Sequence, residues 1–120
     1  MLYQINNNKL SLTVSDHGAE IKSIKFNNEE RIHDSNPKYW NRSAPLLFPC
    51  IGTITNGSSI INDKPYNLPK HGFLRDQEFE VLERKENSIS FISTTWDIKT
   101  LYIKTMQNLI PSFSSIIFFK

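Results

Sequence analysis

The sequence predicts an all-β protein built of antiparallel strands, on three observations. From Leu2 to about Phe91, apolar and polar residues alternate in short runs, the period of strands with one buried face. Turn-forming Asn, Gly, Asp and Pro separate the runs. No internal repeat or heptad interrupts the pattern, which sets aside solenoids and coiled coils.

Residues 1–5 and 9–14 flank Asn6-Asn7-Asn8, a good hairpin turn because Asn tolerates left-handed backbone angles, and Leu10, Leu12 and Val14 fall on one face. His17-Gly18 marks the next turn. Ile24 and Phe26 keep the period of two until Asn27-Asn28-Glu29-Glu30 interrupts it with polar turn chemistry, so a β-meander opens the chain. Asn36-Pro37 disfavours helix, and the stretch to Pro45 carries Tyr39, Trp40 and Arg42, bulky groups on an irregular connection of the kind that contacts ligands.

Further strands are expected at 59–61, 66–68, 78–83 and 88–93, joined by Asn62-Asp63-Lys64-Pro65 and by the charged residues 84–87. Phe79 and Val81 should face inward, with Glu78 and Glu80 outward. After Trp96 the alternation fades. Pro111 interrupts that segment, and Ile116-Ile117-Phe118-Phe119 leaves an apolar cluster that invites aggregation. Residues 1–96 therefore read as one strand-bearing portion and 97–120 as a divergent tail.

At 120 residues the chain suits one domain with a small core. Its 38% hydrophobic and 22% charged residues match neither disordered nor collagenous chains. The net charge of +2 is scattered among acidic residues, so no nucleic-acid footprint is expected. Cys50, the single cysteine, lies in the apolar run 46–51, which predicts a buried free thiol and suits a reducing cytoplasm. With no basic leader and no run of about 18 apolar residues, the expectation is a cytoplasmic protein without a membrane segment. His17 and His33 lack metal-ligand spacing with each other or with Cys50, so no metal is expected. The four dispersed glycines exclude a phosphate cradle, and no nucleophile elbow or metalloprotease helix occurs.

Two segments carry more specific information. Pro37-Lys38-Tyr39-Trp40-Asn41-Arg42-Ser43-Ala44-Pro45-Leu46-Leu47-Phe48-Pro49 and Leu68-Pro69-Lys70-His71-Gly72-Phe73-Leu74-Arg75-Asp76 resemble two motifs of the aldose 1-epimerase family, the second its His-Gly-Phe-x-Arg signature. The likeness is to the bacterial branch of lactose-operon mutarotase-like proteins and hexose-6-phosphate epimerases. Ile51-Gly52, Asn56-Gly57 and Tyr66-Asn67-Leu68-Pro69 follow in the family's order, and Gly18-Ala19-Glu20-Ile21 with Ser23-Ile24 resembles its opening strands. Thr53 departs from the pattern, since many relatives carry a basic residue there.

The resemblance implies that residues 1–96 are an antiparallel β-sandwich, the N-terminal portion of a galactose mutarotase-like supersandwich, incomplete in this chain. It also implies a cofactor-independent isomerase that interconverts the anomers of an aldose or hexose phosphate. By the same resemblance His71, Arg75 and Arg42 contact substrate, the arginines through bidentate hydrogen bonds to an anionic group in the phosphate-sugar branch. Taken alone, an arginine is more commonly a solvated surface charge paired with a neighbour such as Asp76, and the motif favours the functional reading. Tyr39 and Trp40 are secondary candidates, either stacking on a sugar or serving as packing anchors.

In the family the acid is a histidine in a later Gly-His-Pro-like motif and the base a glutamate near the C-terminus. After His71 no histidine occurs, and Glu78, Glu80, Glu83 and Glu86 do not match the base. No catalytic residue is therefore assigned, and the chain reads as a fragment from a frameshift or premature stop, weak or inactive alone, whose exposed sheet edges leave self-association open. Two other readings are kept: a noncatalytic carbohydrate-binding module and a small β interaction domain. The partner expected is a small-molecule sugar or sugar phosphate.

Overall fold

A computed structural model describes residues 1–61, 63–93 and 117–119 of the chain. The opening meander forms as expected: β1 (Leu2–Asn6), β2 (Leu10–Ser15), β3 (Ile21–Phe26) and β4 (Glu29–Glu30) make one antiparallel sheet in chain order. Asn27 and Asn28 have φ of 50° and 66°, and Phe26 pairs directly with Glu29. Two successive left-handed residues make the tight hairpin whose twist matches its strands, and Asn adopts them at little cost. The expected four-residue turn is thus only two residues long. Glu29 and Glu30 belong to β4 because the ladder continues past the tight turn, and a polar strand is tolerated at an exposed edge.

β5 (Ser58–Ile61) and β6 (Lys64–Asn67) pair as a separate two-stranded sheet. Pro65, placed in the turn by its sequence, lies within β6 opposite Ile60; among the described residues this sheet has two strands, so each has an edge where a missing N–H is tolerated. β7 (Glu80–Arg84), β8 (Ile89–Ile92) and β9 (Ile117–Phe119) form the third antiparallel sheet. The tail reading for 97–120 lies outside the described residues except for the backbone of Ile117–Phe119, which pairs along β8. Among the described residues no α-helix forms, and no helix is long and apolar enough to cross a membrane.

The first and third sheets pack face to face. Ile5 and Val14 from one meet Ile89 and Phe91 from the other, with Ala19 and Phe79 at the side. The Tyr3 ring meets Phe91 edge-on at 5.7 Å, a favourable aromatic geometry. Phe79 is buried, Val81 packs against this core, and Glu78 and Glu80 are exposed, as the alternation requires. On β2 burial falls from Val14 through half-buried Leu12 to exposed Leu10, because the core covers only the Val14 end. A second cluster, Tyr66, Leu68 and Phe73, seats the loop that follows β6, and Leu74 touches both clusters. That shared contact ties the loop bearing the His-Gly-Phe-x-Arg motif to the sandwich.

Candidate functional site

The motif loop is clasped by the loop at 48–52. Phe48 Oxygen accepts from the N–H groups of Phe73 at 2.9 Å and Leu74 at 3.4 Å, and Gly72 forms an isolated parallel bridge with Phe48. The Phe48 and Phe73 rings pack edge to face below them at 6.3 Å. His71 takes a left-handed φ of 70° and is held by a reciprocal pair. Its N–H donates to the Gly52 carbonyl at 2.7 Å, and the Gly52 N–H donates to its Nδ1 at 3.0 Å.

An amide N–H can only donate, so Nδ1 is the acceptor nitrogen of a neutral imidazole and the ring proton sits on Nε2. His71 is half-buried, so the loop presents an oriented N–H donor at a partly open position. Cys50, expected to be buried, is half-buried in the same loop, its thiol 3.7 Å from the Gly52 carbonyl and 3.8 Å from that of Pro69.

The two arginines come together in a separate network. Arg42 donates through Nη1 to the Arg75 carbonyl at 3.0 Å and through Nη2 to Asp76. Arg75 Nε lies 3.4 Å from Asp76 Oδ2 but makes no hydrogen bond, although it is buried. Both arginine side chains are about one-fifth to one-quarter exposed, 21% and 24%, so neither is a freely solvated surface charge. Asp76 is the partner that its sequence neighbourhood suggested. No hydrogen bond or ion pair among the described residues joins His71 to either arginine. His71 and Arg75 are linked through the chain from Gly72 to Leu74.

Glu20, which sequence reasoning passed over as a candidate, anchors this network. It lies between β2 and β3 with its side chain only 2% exposed. One oxygen, Oε1, accepts from the N–H of Ser43 at 2.6 Å and of Ala44 at 3.3 Å, while Oε2 lies 3.0 Å from Lys22 Nζ and 3.7 Å from Arg42 Nη1. Ser43 adds a hydroxyl bond to the Ile21 carbonyl at 2.6 Å, and Ala44 bridges Ile21, so the segment carrying Arg42 is stitched to β3. Only the acidic residue inside the otherwise apolar Ala19-Glu20-Ile21 step hinted at this role, and its partners lie 23 and 24 residues away in sequence.

Burial by itself would raise the Glu20 pKa. The Ser43 N–H, the Lys22 ammonium and the Ala44 N–H outweigh it and hold the carboxyl below the ordinary glutamate value. A depressed folded pKa stabilises the fold fully above the unfolded value of about 4.3, and the contribution is lost as pH falls through the lower folded value. Glu30 shifts the same way, chiefly through the Ser23 hydroxyl. Urea midpoints should therefore hold steady from about pH 7 to pH 5 and fall steeply below about pH 4. In Glu20→Gln that acid limb should be shallower.

Tyr39 and Trp40 are exposed, 73% and 49%, which removes the packing-anchor reading. Trp40 instead stacks on the His33 ring at 6.2 Å, and its carbonyl contacts His33 Nε2 at 2.7 Å. A hollow of about 140 Å³ lined by Ile5, Leu10, Leu12 and Ile24 under Asn6, Asn7 and Asn87 shares no residue with the motif loops.

Comparison with known proteins places this geometry. The family described as aldose 1-epimerase matches residues 1–102. The chromosomal protein LacX of Lactococcus lactis subsp. lactis is 34% identical over 97 residues, which cover 76% of this chain and 32% of that protein. The crystal structure of a galactose mutarotase related enzyme from Lactobacillus acidophilus superposes with a TM-score of 0.76 at 40% identity, over 83% of this chain and 34% of the other. A galactose mutarotase-like protein from Lactobacillus casei gives the same TM-score, 0.76, at 30% identity, over 84% and 35%. The chain spans about a third of the length of these relatives.

Proposed function

We propose, because this chain belongs to the aldose 1-epimerase family, that it is the sugar-recognition portion of a mutarotase fold, holding an aldose or hexose phosphate through His71 and Arg75. The observation that carries the reading is the Gly52 N–H bond to His71 Nδ1, which supports Nε2–H as a donor for a sugar oxygen. Arg75 complements it, since its terminal nitrogens make no hydrogen bond among the described residues and suit vicinal hydroxyls or a phosphoryl group. Arg42 joins the site through its bonds to Asp76 and the Arg75 carbonyl.

Anomer exchange needs a base for the anomeric hydroxyl proton and an acid for the ring oxygen. His71 as held is a donor, its basic nitrogen being engaged by Gly52. The carboxylates of Glu20 and Asp76 are committed to amide and cationic partners. These arrangements favour binding over a complete proton relay in this portion. No specific observation favours the plain interaction-domain reading.

The test is titration of the purified 120-residue chain with D-glucose, D-galactose and glucose 6-phosphate, following the His71 imidazole by NMR and anomer exchange by magnetisation transfer. We expect saturable shifts, exchange at the buffer rate, and binding about tenfold or more weaker in His71→Ala and in Arg75→Ala, the loss of one or two polar contacts. Exchange above buffer that vanishes in His71→Ala would overturn the recognition-only reading. A folded chain with no saturable shift would overturn sugar binding itself.

A further inference from the structure

We propose that Glu20 is a positioning residue for the sugar site: by holding Arg42 and the 43–44 backbone, it sets the Arg75–Asp76 turn from which the Arg75 guanidinium is presented. The inference rests on the reading above, in which Arg75 meets the ligand.

A carboxylate this deeply buried is retained only where its oxygens are satisfied. Each Glu20 oxygen has a separate task. Oε1 binds backbone N–H groups of the incoming loop, and Oε2 faces the cations Lys22 and Arg42. Arg42 Nη1 lies between Glu20 Oε2 at 3.7 Å and the Arg75 carbonyl at 3.0 Å, so the guanidinium bridges the β2–β3 corner to the motif turn. The same corner reaches the turn a second time, where the Gly18 N–H donates to the Gln77 carbonyl at 2.7 Å.

One charge on Arg42 therefore serves two carboxylates, Glu20 and Asp76, while Asp76 also faces Arg75 Nε at 3.4 Å. Without the Glu20 charge, Arg42 keeps Asp76 but loses its anchor on the β2–β3 corner, and the turn it holds through the Arg75 carbonyl is free to shift. Arg75 Nε is already buried without a hydrogen-bond partner, so its orientation depends on the weak attraction to Asp76. The consequence falls on the direction of the guanidinium, at the far end of the network from Glu20.

Glu20→Gln tests this with little change of shape, because the amide oxygen still accepts from Ser43 and Ala44 while the charge is gone. The experiment compares wild type, Glu20→Gln, Arg42→Gln and the double variant as full chains. It reads the Nε–H resonance of Arg75, assigned by its loss in Arg75→Lys, and the affinity for D-galactose and glucose 6-phosphate. We expect a displaced, faster-exchanging Arg75 Nε–H in both single variants, affinity about tenfold weaker in each, and a double variant no weaker than either single, the non-additivity of residues acting in series.

An unmoved Arg75 Nε–H in Glu20→Gln, or additive losses in the double variant, would overturn the proposal. Should Glu20→Gln lose its cooperative thermal transition, Arg42→Gln alone decides by the same resonance. If wild type binds neither sugar, the sugar-site reading fails, and the Nε–H resonance still tests the positioning of Arg75 by Glu20.

Discussion

Replacing Gly72 by alanine is expected to destabilise the chain by about 4 kcal/mol or more, beyond the ordinary range of point substitutions, and to abolish ligand binding with it. Gly72 has φ of +74°, where an L side chain is strained by roughly 1–2 kcal/mol. The larger effect is contact. A Cβ at this position would stand 1.9 Å from the Phe48 carbonyl oxygen, against backbone that cannot swing aside as a long side chain can. Relief requires separating the two loops, which breaks the bonds from Phe73 and Leu74 to Phe48 and pulls His71 off Gly52. Gly57→Ala is the control: φ there is +65°, but nothing lies within 4 Å of the added atom, so the cost should stay near the roughly 1–2 kcal/mol of backbone strain. Urea midpoints of both variants check the contrast. A Gly72→Ala chain as stable as Gly57→Ala would mean that the clasp between the loops is not formed as described.

The other large effect is expected at Phe91, which is fully buried where the two facing sheets meet. Phe91→Ala should cost about 3–5 kcal/mol, since the lost transfer energy is joined by a cavity that strands on both sides cannot collapse to fill. Phe91→Leu keeps most of the volume and should cost less than about 2 kcal/mol. Leu82→Ala, on the exposed face of β7, should change stability by no more than about 0.5 kcal/mol. Because a domain of this size has a total of about 5–15 kcal/mol, Phe91→Ala puts the fold near its limit. The check is urea unfolding with the slope compared as well as the midpoint, since an unchanged slope assigns the loss to the native core.

Much of this architecture was legible because strand periodicity is local. The alternation around Phe79 and Val81 placed both toward the core and left Glu78 and Glu80 outside, and the three asparagines after Ile5 marked the first hairpin. Glu29 and Glu30 read as turn residues in sequence because glutamate is a poor strand former, yet they pair with β3 because the Asn27-Asn28 turn needs only two residues. Tyr39 and Trp40 were ambiguous for a different reason. An aromatic residue beside an apolar run packs inward or stays outside according to what lies across from it, and here Trp40 stacks on the His33 ring and stays half exposed.

The sequence by itself determined the all-β class, the strand-bearing segments, and the motif loops whose order matches the aldose 1-epimerase family. Tertiary structure alone decided how the charges in those loops are used. Arg42 meets the Arg75 carbonyl across 33 residues and Asp76 across 34, and Glu20 meets Ser43 across 23. Such pairings depend on how loops from separate strands are brought together, which no local period encodes. The same holds for the ring proton of His71, placed on Nε2 by a glycine amide 19 residues earlier in the chain. Periodicity tells which side of a strand is buried; only the folded chain tells which buried charge finds which partner.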